Sequence, residues 1–104
     1  MPKSLSVSAL LVLHAVARGT AHGFDIIDAT GLPGGTVYPA LSRFERDGLV
    51  ASTWEPPEIA RADGRPPRRY YRVTRAGVRT LNDALDRVGA LKKVPARRWA
   101  KARS

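Results

Sequence analysis

Thr36, Tyr38, Ser42, Arg43 and Arg46 place two hydroxyls, a phenol and two guanidinium groups in one short stretch of chain. Val37, Ala40, Leu41 and Phe44 are threaded between them at helical spacing, which predicts one helix with an apolar inner stripe and a polar outer face. Gly35 and Pro39 fall on the same outer side. Every polar group there can donate a hydrogen bond, so the natural partner is rich in acceptors, and duplex DNA is such a partner. Arg43 also has Asp47 four positions on, a surface pair worth about 0.3 to 0.5 kcal/mol. Bidentate contact with guanine O6 and N7 is worth about 1 to 3 kcal/mol of discrimination, and is open only to a helix docked in the major groove.

A second group of donors lies further on. Arg65, Arg68 and Arg69 surround a proline-rich turn and suit phosphate more than bases, since half to two-thirds of protein hydrogen bonds to DNA go to phosphate and sugar. No catalytic constellation accompanies them. His14 and His22 stand apart, with no second ligand or nucleophile at a useful spacing, and both are assigned structural roles. There is no phosphate-binding glycine loop and no cysteine, so thiolate metal sites, disulfides and cysteine nucleophiles are excluded. No metal site, cofactor or enzymatic activity is expected.

Charge supports a polyanion partner. The 104 residues carry a formal charge of +9, unevenly distributed. Before Trp54, Lys3, Arg18, Arg43 and Arg46 cancel Asp25, Asp28, Glu45 and Asp47. Beyond it, the arginines 61, 65, 68, 69, 72 and 75 face only Asp63 locally, and the basic residues 92, 93, 97, 98, 101 and 103 face no acid. Two separate clusters favour nucleic acid over a charge-solubilised surface.

The elements that must position these groups follow from local signals. Ser4 or Ser6 caps a first helix to about Arg18, apolar on several sides and therefore buried on several sides. Thr20 caps a second helix to about Ala29, with Phe24 and Ile27 inward. Gly34 or Gly35 serves as N-cap of the third helix, and Gly48 closes it in the left-handed conformation. The runs 49–54 and 69–74 read as strands, with Trp54, Tyr71 and Val73 directed to the core. Between them Pro56, Pro57, Pro66 and Pro67 exclude continuous sheet, and Asp63-Gly64 is the expected tight turn.

Thr74 caps a last helix to about Val94, on which Val78, Leu81, Leu85 and Val88 form a coiled-coil-like stripe. With the small core already served by the preceding elements, a second copy of the chain is the expected cover, and Leu5 is assigned to the same interface. Pro95 stops the helix, and the basic segment 95–104 is too poor in large apolar groups to fold alone. The fold class is mainly α with a small β-hairpin. Its expected divisions are a winged helix-turn-helix over 1–74, a dimerisation helix over 75–94 and a flexible tail. The apolar run from Leu5 to Ala17 is too short to span a bilayer and lacks the flanks of a signal peptide, so a cytoplasmic protein without membrane contact is expected.

Several ordered motifs then come together. Thr20-Ala21-His22-Gly23-Phe24-Asp25-Ile26-Ile27, Gly35-Thr36-Val37-Tyr38-Pro39-Ala40-Leu41, Gly48-Leu49-Val50, Trp54-Glu55 and the segment from Gly64 to Gly77 resemble the PadR family of bacterial transcriptional regulators over about residues 5 to 90. The short final helix is similar to that of the small members, with a single C-terminal helix. The resemblance implies a homodimer that binds a near-palindromic operator, usually as a repressor, and often releases it on binding a small molecule. It also implies that Thr36, Tyr38 and Arg43 face the major groove and that Arg65, Arg68 and Arg69 follow the backbone or minor groove. Some small members hold flat aromatic effectors between tryptophans of paired C-terminal helices, which makes Trp99 the candidate effector contact here. The rival reading is a winged-helix module that binds RNA or protein through its basic wing and tail.

Overall fold

A computed structural model describes residues 5–19 and 22–88, Val88 by its backbone alone. Ser6 starts the first helix, α1 (Val7–Ala17): its backbone is extended and its Oγ accepts the Ala9 N–H at 3.1 Å. Ser4 lies outside the described residues. Leu10, Val12, Leu13 and Val16 of α1 are buried, and the helix touches the second, third and last helices and the second strand. It is the central element that the others cover.

Helix α2 (Gly23–Thr30) has His22 at its N-cap, and the expected cap, Thr20, lies outside the described residues. Phe24, expected inward, is 68% exposed, whereas Ile26 is fully buried. The reason is phase: with the helix starting at Gly23, Ile26 takes the position facing the core and Phe24 is left on the outer side of the first turn. Helix α3 (Gly34–Arg46) begins one or two residues earlier than expected, with Pro33 rather than Gly34 or Gly35 as N-cap, so both glycines are helical. The Pro33 carbonyl accepts the Thr36 and Val37 N–H groups at 2.9 and 3.0 Å. Gly48 (φ 76°) turns the chain, and the Leu49 N–H reaches the Phe44 carbonyl at 2.8 Å.

Strands β1 (Val50–Trp54) and β2 (Arg69–Val73) pair antiparallel from Val50 opposite Val73 to Trp54 opposite Arg69. Val50, Ser52 and Trp54 therefore share a face with Val73, Tyr71 and Arg69. The Val50–Val73 end is buried in the core and Tyr71 packs partly against it, but Trp54, expected in the core, is 64% exposed at the far end of the ladder. His22 adds an isolated backbone bridge to Tyr70. The connection between the strands holds a further helix, α4 (Pro57–Ala62), that the sequence did not predict. Pro57 occupies its first turn, and Asp63-Gly64 closes it instead of turning a hairpin.

Thr74 caps α5 (Arg75–Val88): its Oγ1 accepts the Gly77 N–H at 3.1 Å and donates to the Gly48 carbonyl at 2.7 Å. Val78, Leu81 and Leu85, expected to need a second copy as cover, are buried in this chain's own core, and Leu5 packs partly against it. Helix α1, apolar nearly all round, supplies the missing surface. A Cβ on Gly77 would collide with the Leu49 carbonyl oxygen, so α5 approaches the end of α3 backbone to backbone. The Val88 side chain, the expected helix end at Val94, the tail 95–104 and Trp99 lie outside the described residues.

Candidate nucleic-acid interface

Helix α3 has the two faces its spacing predicts. Val37, Ala40, Leu41 and Phe44 are buried; Gly35, Tyr38, Pro39, Ser42, Arg43 and Arg46 are exposed, and Thr36 is half-buried. Arg43 forms no ion pair with Asp47, which instead caps the helix end. Its guanidinium and that of Arg46 are uncommitted among the described residues. On one flank, Thr36, Ser42, Arg43 and Arg46 border an open groove of about 600 Å³ whose opposite wall is the cap residue Ser6 with Ser8 and Ala9 of α1. Among the described residues no carboxylate lines it. The α1 hydroxyls carry no periodicity signal in the sequence, and only contact with α3 gives them this place.

The other flank runs toward the wing. Tyr38, 41% exposed, crosses the start of α2 so closely that a Cβ on Gly23 would meet its ring and hydroxyl. It lines a cleft of about 270 Å³ with His22, Gly23, Phe24, the segment from Arg65 to Arg69, and Tyr71. His22 is fixed there by Asp25, 3.0 Å from its Nε2, and by edge-on contact with the Tyr70 ring at 5.7 Å. Burial raises the pKa of the Tyr71 phenol, against the pull of the nearby Arg69 cation.

The three wing arginines are not equivalent. Arg65 donates from both terminal nitrogens to Glu55, at 2.6 and 2.9 Å, and to Asp63 at 3.2 Å. Glu55 is only 4% exposed and also accepts the Arg68 N–H and the Tyr70 hydroxyl, each at 3.2 Å. The Arg65 hydrogen bonds outweigh burial and lower the Glu55 carboxyl from 4.5 to about 2, while Glu55 raises the guanidinium further above its ordinary range. Arg65, expected on phosphate, is thus committed to a clamp at the base of the wing. Pro66 and Pro67 have no N–H, so the Glu55 contact to Arg68 sets where this limb returns to the sheet.

Arg69 is committed as well. Its Nε donates to Ser52 Oγ at 2.9 Å and one terminal nitrogen donates to Glu45 at 3.0 Å. The Arg68 guanidinium has no ion-pair partner among the described residues. Glu55 and Glu45 are members of this arrangement that sequence reasoning missed. An acid just after a strand was the available signal for Glu55; Glu45 was read only as one of the charges cancelling the first half.

The comparisons with known proteins bear on this arrangement. Residues 12–83 match the model of the Transcriptional regulator PadR-like family. The chain belongs to that family. This PadR-like chain is 38% identical over 79 residues to "Transcriptional regulator Rv3488" of Mycobacterium tuberculosis (strain ATCC 25618 / H37Rv), covering 71% of the chain and 68% of that protein. Its fold is similar to the crystal structure of a PadR family transcriptional regulator from Eggerthella lenta DSM 2243, with TM-score 0.65 and 29% identity over 78% of this chain and 70% of the other. The winged-helix class expected from the sequence is therefore shown, and the PadR-like chain is a DNA-binding transcriptional regulator, not an enzyme. Among the described residues no helix is long and apolar enough to cross a membrane.

Proposed function

We propose that the chain is a sequence-specific repressor that binds a near-palindromic operator as a homodimer, with α3 of each copy in the major groove and half-sites about one helical turn apart. The observation that carries this reading is the outer face of α3, where Tyr38, Ser42, Arg43 and Arg46 are exposed together and, among the described residues, both guanidiniums are uncommitted. Gly35, Thr36 and Pro39 complete the surface that approaches the duplex. Arg68 supplies the wing's phosphate contact, with Arg69 beside it, and Arg65 acts by holding the limb.

In this reading residues 1–74 bind DNA, 75–94 pair the copies and 95–104 add sequence-independent attraction. Val78, Leu81 and Leu85 seat the pairing helix on its own core, and Leu5 and Val88 extend the contact between copies. A small aromatic effector that releases the operator belongs to the same reading, with Trp99 as its contact.

Selection from a random duplex pool, followed by competition titration, tests the proposal. A preference for the selected sequence on the order of a thousandfold is expected. Tyr38→Ala or Arg43→Ala should shrink that preference, whereas Arg68→Ala should weaken binding to all duplexes and reduce the salt slope by about one. Equal losses on selected and random duplex for all three variants would remove base reading from α3. Tighter binding of single-stranded RNA than of any duplex would favour the RNA-binding alternative.

A further inference from the structure

Arg69 is held by its own chain from three sides. Its Nε donates to Ser52 Oγ at 2.9 Å, and one terminal nitrogen donates to the two Glu45 oxygens at 3.0 and 3.3 Å. Its head lies 5.4 Å from the centre of the Trp54 ring and 5.9 Å from that of Tyr71. Ser52 in turn donates its hydroxyl to Glu45 at 2.6 Å. Glu45 belongs to α3, Ser52 and Trp54 to β1, Arg69 to β2, so the cluster spans the reading helix and the wing.

The same arginine lines the cleft that Tyr38 and Arg68 border. Both members of the Glu45–Arg69 pair are partly open to water, and such pairs are weak and easily exchanged. A phosphate oxygen has the charge and hydrogen-bonding capacity of the carboxylate it would replace. The Trp54 ring lies where cation–π contact can hold the guanidinium whether or not the carboxylate is its partner. A cation already neutralised by an internal carboxylate releases no counterion on meeting DNA and adds nothing to sequence-independent affinity.

We propose that Glu45 is a specificity-determining residue of the duplex-binding face: it masks Arg69 on random DNA and surrenders it to a backbone phosphate when α3 docks on its site. The inference rests on the DNA-binding reading above. It gives the exposed Trp54 a use, as a platform for the exchanged cation.

The test is a salt titration of the full chain on a random-sequence duplex of about 20 bp, a length of about two helical turns. Glu45→Gln keeps the shape and removes the charge. It should bind about threefold to fivefold more tightly and steepen the dependence of log K on log salt by about one. Both gains should vanish in an Arg69→Ala background, which separates unmasking from simple repulsion. Ser52→Ala, which removes one support of the Glu45 carboxylate, should shift affinity the same way by less and serves if Glu45→Gln folds poorly.

An equal gain in both backgrounds overturns the proposal in favour of plain repulsion. A loss of affinity overturns it too, by making Glu45 a support for α3. Wild-type protein that binds no duplex defeats the DNA-binding reading itself, whereas a binding wild type with an inert Glu45→Gln defeats only this inference.

Discussion

Two single positions carry more than their size suggests. Gly23 is buried under the Tyr38 ring, so Gly23→Ala forces the phenol from its place. The ring is 41% exposed and only its far end is displaced, so it can swing into solvent at little cost in stability. The urea midpoint should therefore change little, while discrimination between selected and random duplex in competition titration should fall. Glu55 is the second. Removing its carboxylate in Glu55→Ala leaves the Tyr70 hydroxyl and the Arg68 N–H without their acceptor and Arg65 with only the exposed Asp63 as its counter-charge. The fall in urea midpoint should exceed that of Glu58→Ala on the exposed start of α4. The sign of the pH effect follows from a carboxyl lowered from 4.5 to about 2: its stabilisation is complete above the ordinary value and is lost as pH falls toward about 2. Urea midpoints of wild type and Glu55→Gln should therefore differ by a constant amount between pH 6 and 8 and converge below pH 4.

At the scale of elements, the wing divides its arginines between holding and binding. Arg68→Ala should leave the melting temperature unchanged and flatten the salt dependence of duplex binding. Arg65→Ala should lower the melting temperature and weaken binding without a comparable change in slope, because its charge is already spent on Glu55. Calorimetry and salt titration on the same proteins check both. Helix α3 was legible in the sequence because a buried stripe and a polar face alternate with one period, and Thr74 and Gly48 were legible because capping chemistry is local. Phe24 and Trp54 misled because aromatic character announces apolar area but not the phase of a helix or the distance along a ladder. Asp63-Gly64 misled because the same pair ends a helix or turns a hairpin. The Glu55–Arg65 pair was hidden because its partners are 10 residues apart, across a helix that no periodicity announced.

For the whole molecule, one core serves every described element but α4. Leu81 is fully buried in it, so Leu81→Ala should cost about 2 to 5 kcal/mol at any protein concentration, read from urea unfolding at two dilutions. Pairing of copies is a separate matter, and sedimentation equilibrium should show a species of twice 11.3 kDa. The stripe expected to need a partner was legible as apolar, but its cover was not, because a sequence shows which side chains avoid water and not which neighbour shields them. Gly77 lies against the Leu49 carbonyl, which also accepts the Thr74 N–H at 3.0 Å just beyond the end of α3. Main chain meeting main chain has no rotamers with which to yield. A tilt imposed on the last helix from outside should therefore press first on the chain leaving α3, as through the pin of a crank.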